Sequence, residues 1–280
     1  MRNDVIQRNV TSISRPVRKQ GMNSLHRIRE LLPFSVSELT DPFLMLMEDW
    51  FPEGVFDRHP HRGMETVTYV IGGQIDHYDN QGNSGSVRPG DVQWMTAGRG
   101  IIHNEQPAPG QTVHSLQLWV NLPKAAKMVV PRCQELTGGD APVRRETGVE
   151  VRVFSGSSGA VASPTKNYAA VTMLEVSMEP ESEISLDLPG SYNAFMVVLS
   201  GAGVAGADRT AIEKEQVVLL SKDNRLPLSV VTLATDKTPL KLLLYAGLPI
   251  GEPVATGGPF VMNTEQEVQQ AFEDYRAGRF

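Results

Sequence analysis

Glycine or proline cuts the chain almost wherever its sequence turns apolar, and that punctuation restricts what it can build. The apolar or alternating runs between the breaks are short. Glu65 to Ile71, Val92 to Met95, Leu116 to Val120, Ala170 to Val176, Ala194 to Leu199, Val217 to Leu220 and Leu242 to Tyr245 are each four to seven residues long. Runs of this length between turn residues are strands of a sandwich or barrel. A helical pattern stands out only near the C-terminus. Thr264 and Glu267 have the spacing of a capping box there, and Val268, Phe272 and Tyr275 recur on one face. The expectation is an all-β protein closed by one short helix whose acidic residues form a solvated outer face.

With 280 residues, 40% of them apolar, the chain can bury two cores. Gly138-Gly139-Asp140 and the stretch from Gly156 to Gly159 place a linker near residues 135 to 160. The expected domains are 1–140 and 141–280, the helix ending the second. A weak internal repeat supports two related halves. Thr68-Tyr69-Val70-Ile71-Gly72-Gly73 leads through a polar turn to Arg88-Pro89-Gly90-Asp91-Val92, much as Met196-Val197-Val198-Leu199-Ser200-Gly201 leads to Glu213-Lys214-Glu215-Gln216-Val217.

Several classes of function are disfavoured. The chain opens on Met1-Arg2-Asn3-Asp4 rather than on a secretory pattern, and no run nears the roughly 20 apolar residues of a membrane helix. A soluble, cytoplasmic protein is expected, or a nuclear one in a eukaryote, with no membrane partner. Net charge is −6 and the only basic cluster is Arg15-Pro16-Val17-Arg18-Lys19, so direct nucleic-acid binding is not expected. The single cysteine, Cys133, forms no internal disulfide and reads as a buried, inert thiol in a reducing compartment.

The histidines carry the chemistry. All six (His26, His59, His61, His77, His103, His114) fall within the first 114 residues. In a strand, residues two apart share a face, so His59-Pro60-His61 projects two imidazoles to one side. His103-Asn104-Glu105 does the same with an imidazole and a carboxylate. Pro60 cannot donate to a ladder, which confines that strand to an edge or barrel mouth. Three nitrogens and a carboxylate suit Fe(II), Cu(II), Ni(II), Co(II), Mn(II) or Zn(II), and exclude an all-thiolate or an oxygen-only calcium site. His77 reads as a solvated turn residue, His114 as a hydrogen-bonded structural one and His26 as surface. Phe56, Met64, Trp94 and Trp119 read first as core and only then as the lining of an apolar cavity.

Gly54 followed by His59-x-His61-x3-Glu65-x6-Gly72 resembles the first cupin motif, with one residue fewer between glycine and first histidine. The blocks His59 to Val67 and Gly90 to His103, the strand Leu116 to Pro123, and the tail Gly258 to Thr264 with Phe272 to Gly278 are closely similar to the pirin family nearly end to end. The resemblance implies two cupin-type (jelly-roll) β-barrels arranged face to face, with one iron, Fe(II), in the N-terminal barrel on His59, His61, His103 and Glu105. Glu65 fills the carboxylate slot of the general cupin motif, but the pirin pattern assigns the ligand role to Glu105. Glu65 is then left to hydrogen-bond a ligand imidazole or to pair with Arg62 or Arg99.

Two functions follow from the likeness. Some pirin-like proteins resemble quercetinases, the quercetin 2,3-dioxygenases that open a flavonol with O2 and release carbon monoxide. Glu105 would there act as both ligand and general base toward the flavonol hydroxyl. Other family members are described as regulators, which implies an iron-dependent redox sensor that binds a protein partner. A flavonol enzyme needs an open cavity at the metal, whereas a sensor needs only access for a small oxidant.

Overall fold

The structure, a computed structural model, describes residues 6–280 and is built of strands with one long helix. The chain separates into two compact units near the expected linker, yet neither unit is continuous in sequence. One unit combines Val17–Asp140 with Ile250–Phe280; the other combines Ala141–Pro249 with the described part of the chain up to Pro16. This corrects the simple cut at 140. The helix belongs with the histidine-bearing half, and the first strands belong with the other. Local patterning could not show this exchange, because the partner of a short strand is set by pairing that spans the whole chain.

In the histidine-bearing unit, two antiparallel sheets enclose a core. The larger runs in the order Arg132–Leu136, Val92–Thr96, Met64–Gly72, Thr112–Asn121, Phe43–Pro52, Arg27–Leu32 and Lys19–Gln20. The smaller runs His59–His61, Ile101–Pro107, Ile75–Asp79 and Ser84–Val87. Phe51, Val70 and Val113 of the first sheet pack against Ile75 and Val87 of the second. Met64–Gly72 is central and buried along most of its length, its polar Glu65, Thr66 and Thr68 buried among apolar residues.

The other unit is an 11-stranded assembly around Val151, Leu174, Leu186, Met196, Leu233 and Leu242. Its first-in-sequence strands, Ile6–Gln7 and Val10–Ser14, pair with Leu228–Ala234 and Val217–Leu220. Between them Arg8 is fully buried, and its guanidinium donates to Ser229 Oγ (2.8 Å) and to the carbonyls of Ser221 (2.8 Å), Pro189 (2.8 Å) and Tyr192 (3.0 Å). No carboxylate pairs with it in these bonds, so carbonyl dipoles compensate the buried charge.

The repeat read from sequence is geometrically real. Tyr69 lies opposite Val92 in one unit, and Val197 lies opposite Val217 in the other. Gly90 N donates to Val70 O and Val70 N to Asp91 O; Glu215 N donates to Val198 O and Val198 N to Gln216 O. Gly73 and Gly201 close the matching turns at φ +74° and +76°, and a Cβ on either would strike a carbonyl oxygen, that of Thr112 or Pro239.

The tail residues 250–280 complete the first unit. Thr264 Oγ1 accepts from Glu267 N and Glu267 Oε2 accepts from Thr264 N, the expected capping box, at the start of helix Glu265–Arg276. Val268 and Ala271 are buried, while Phe272 and Tyr275 pack their rings on the fully buried Phe260. Among the described residues no helix is long and apolar enough to cross a membrane.

Candidate metal centre

His59 and His61 leave strand His59–His61 on the same face, and the register His103↔His59 brings the third imidazole alongside. Their ligand nitrogens all lie within 4.8 Å of one another, and His59 Nε2 stands 3.0 Å from His103 Nε2. The ring of His59 is oriented by its own turn. The Asp57 carbonyl accepts from Nδ1 at 2.8 Å, which leaves Nε2 as the lone-pair nitrogen facing the cluster.

His61 and His103 are each 2% exposed. Burial pushes the His61 imidazolium well below its ordinary range, and His103 and His59 push it the same way, opposed only by the nearby Pro259 carbonyl. Burial, then His59 and His77, bring His103 down to about 3. Both rings are therefore neutral near pH 7, the state a metal ligand needs. Neither nitrogen of His61 makes a well-formed hydrogen bond, although the Pro259 carbonyl lies close enough to favour its protonated form. Leaving a buried polar group unpaired costs about 1–3 kcal/mol, so an imidazole set this way against two others fits a missing cation better than it fits a packed core. The donor set thus suits a first-row divalent metal.

The strand pair that carries the ligands is clamped by the tail. Arg62, between His61 and Gly63, bridges to Phe260, accepts Val261 N on its carbonyl (3.0 Å), and sends its guanidinium to the Arg99 carbonyl (2.6 Å) and Asp274 (2.7 Å). Gly63 is at φ +79° with Val261 O 1.9 Å from where a Cβ would stand, so the tail crosses where no side chain fits. Lys127 Nζ donates to Gly63 O, Asn121 Oδ1 and Val261 O at 2.8–3.0 Å and fastens the same crossing from beneath.

Glu105 is 6% exposed and shares its strand face with His103. Its oxygens accept from Thr68 Oγ1 (3.3 Å) and Gln117 Nε2 (3.0 Å), so the close cluster consists of the three histidines, with Glu105 in the adjoining cavity wall. That cavity measures about 30 Å3 and is lined by Asp49, Phe51, Phe56, His59, Thr68, Ile75, Glu105, Ser115 and Gln117. It has room for one water. Glu65 is fully buried and accepts from Thr96 Oγ1 at 2.7 Å, while the guanidinium of Arg62 goes to Asp274.

The other sequence assignments divide. His114 is structural as expected, bonded to Glu48 (2.7 Å) and stacked on Trp50. His77 is not a solvated turn residue: it is 6% exposed, paired with Glu135 and opposite Glu105 in register. His26 is not on the surface. It is 3% exposed, with Nε2 2.8 Å from Asp49 Oδ1 and its ring edge-on to Phe51 and Phe56. Trp94 and Met64 are core, and Trp119 stands edge-on to His61. Cys133 is half-buried rather than buried, and its thiol is pushed up to about 12 by burial first and by Glu135, Asp79 and Glu105 next. Sequence reasoning missed Asp49, Thr68 and Gln117, although polar residues inside otherwise apolar strands are a visible signal.

The family model described as Pirin matches residues 14–120, and that of the Pirin C-terminal cupin domain matches residues 173–280. Pirin-like protein 2 of Arabidopsis thaliana is 41% identical over 278 residues, covering 95% of this chain and 86% of its own. The crystal structure of GK1651 from Geobacillus kaustophilus is 49% identical with a TM-score of 0.86, covering 89% of this chain and all of that one. A crystal structure of quercetin 2,3-dioxygenase from Acinetobacter baumannii is 28% identical with a TM-score of 0.85, covering 98% of each chain.

Proposed function

Since the chain belongs to the pirin family, with its two cupin domains, we propose that it is a mononuclear iron oxidoreductase of the quercetin 2,3-dioxygenase type, acting on flavonols with O2. The observation that carries the reading is the orphaned, uncharged His61 facing His59 and His103. Likeness over nearly the full chain to a quercetin 2,3-dioxygenase supports the choice of reaction. His59, His61 and His103 would hold the metal, with Glu105 as fourth ligand. When bound, the metal would supply Lewis acidity toward a substrate hydroxyl and redox chemistry toward dioxygen. The chain's own residues exclude water, through Phe51, Phe56 and Ile75, and present carboxylate, amide and hydroxyl groups to a substrate's polar edge. A flavonol is far larger than 30 Å3, so binding requires the cavity to open.

The small cavity favours a second reading, an iron-dependent redox sensor that binds a protein partner and admits only a small oxidant. Anaerobic reconstitution of the metal-free protein with Fe(II) and, separately, Cu, Ni, Co, Mn and Zn, followed by quercetin turnover and carbon monoxide release, separates the two. Metal-dependent turnover that His59→Ala abolishes is the expected result. Bound metal without turnover would remove the dioxygenase reading in favour of the sensor.

A further inference from the structure

A second carboxylate faces the cavity beside Glu105. Asp49 lies on strand Phe43–Pro52, opposite Ser115, and is 7% exposed. His26 holds it from behind. The Met22 backbone N–H donates to His26 Nδ1 (3.1 Å), so the proton of the neutral ring sits on Nε2 and is donated to Asp49 Oδ1 at 2.8 Å. His26 has no freedom to turn: its ring is wedged against Gly21, where a Cβ would lie 2.3 Å from Nδ1, and against Phe51 and Phe56. Among the described residues no other side chain donates to Asp49, so its second oxygen is available to the cavity it lines.

Glu105 is placed differently. Thr68 donates to one of its oxygens and Gln117 to the other, so both already accept a hydrogen bond, whereas Asp49 accepts on one oxygen from His26. An orienting imidazole and a carboxylate with one oxygen unengaged, lining the cavity beside the candidate metal ligands, form the arrangement of a general base.

We propose that Asp49, positioned by His26, is the group that accepts the proton of the bound flavonol's hydroxyl, leaving Glu105 as a ligand. This rests on the dioxygenase reading above. The hydroxyl O–H bond breaks and an O–H bond forms on Asp49. The electron pair stays on the flavonol oxygen, nothing is oxidised in this step, and the His26 Nε2–H bond to Asp49 persists. The proton passes back to the ring-opened product before release. Burial and the neighbouring Glu105 and Glu48 carboxylates raise Asp49 above its ordinary range, which suits a proton acceptor, while His26 opposes them.

The test uses the Fe(II)-loaded protein, with metal content measured for every variant. Quercetin added without oxygen should show the red-shifted absorbance of its anion when bound to wild type, and the unshifted spectrum when bound to Asp49→Asn. With oxygen, kcat of Asp49→Asn should fall on the order of 100-fold with KM within a few-fold, and His26→Gln should fall less, since it keeps an N–H donor. A red-shifted spectrum and wild-type kcat in Asp49→Asn would overturn the assignment. So would loss of metal in Asp49→Asn together with an unchanged kcat in His26→Gln, which makes the pair structural. If wild type neither shifts nor turns over quercetin, the flavonol reading itself fails, and the wild-type arm identifies that case.

Discussion

Acid should weaken the metal-free protein earlier than its net charge suggests, and His103 sets the size of the effect. Folded, this imidazole takes its proton only near pH 3; in the unfolded chain it does so near 6.5. Between those limits the unfolded state binds a proton that the folded state refuses. The contribution to stability is therefore fully present above pH 6.5 and is lost as pH falls toward 3. At about 1.4 kcal/mol per pH unit per proton, His103 alone removes about 2 kcal/mol between pH 6.5 and 5. His61 shifts in the same direction and adds to the slope. Urea unfolding of the metal-free protein from pH 7.5 to 5 measures the loss, and the same series on His103→Gln isolates it, because glutamine does not titrate. Bound metal should suppress the slope by holding the imidazoles unprotonated. If wild type and His103→Gln showed equal slopes, neutral burial of His103 would be the wrong description of this site.

Other perturbations probe the supports of the site. His61→Ala should lower metal affinity at least tenfold while the barrel stays folded, read by competition with a metal chelator; unchanged affinity would remove His61 from the ligand set. Phe260→Ala empties the space between Phe272, Tyr275 and Phe280 and should cost about 3–5 kcal/mol in chemical unfolding. Lys127→Met leaves the Gly63 and Val261 carbonyls without their donor and should cost about 2–4 kcal/mol, with faster hydrogen exchange in residues 255–276 as its signature. Exchange confined to other regions would show that Lys127 does not fasten the tail.

Much of the site was legible because its rules are local. A period of two fixes which residues share a strand face, so His59-x-His61 and His103-x-Glu105 declare their common side before any fold is known. The capping box at Thr264 and Glu267 is local in the same sense, and so is the glycine turn that repeats at Gly73 and Gly201. What escaped depends on distant neighbours. His26 reads as a surface residue until Asp49, 23 positions away, provides its partner. Arg8 shows no local partner in sequence until the carbonyls of Tyr192, Ser221 and Pro189 close around it. Cavity size also depends on packing from both sheets, and neither spacing nor composition encodes it. Glu105 falls between: its strand face was readable, but its hold on Thr68 and Gln117 needed the register of neighbouring strands.

The crossed termini also impose an order on biosynthesis. Residues 59–105 leave the ribosome early, yet the strand that crosses Gly63 and the helix that anchors Arg62 lie beyond residue 250. At about 5–20 residues per second, the three histidines wait on the order of ten seconds or more for the segment that braces them. The other barrel meanwhile recruits strands Ile6–Gln7 and Val10–Ser14, made before everything else it contains. A nascent chain therefore passes through a period with exposed imidazoles and an unbraced ligand strand. Stable metal retention should begin only once residues 250–276 have been made and packed, which makes cofactor loading a late event for this architecture.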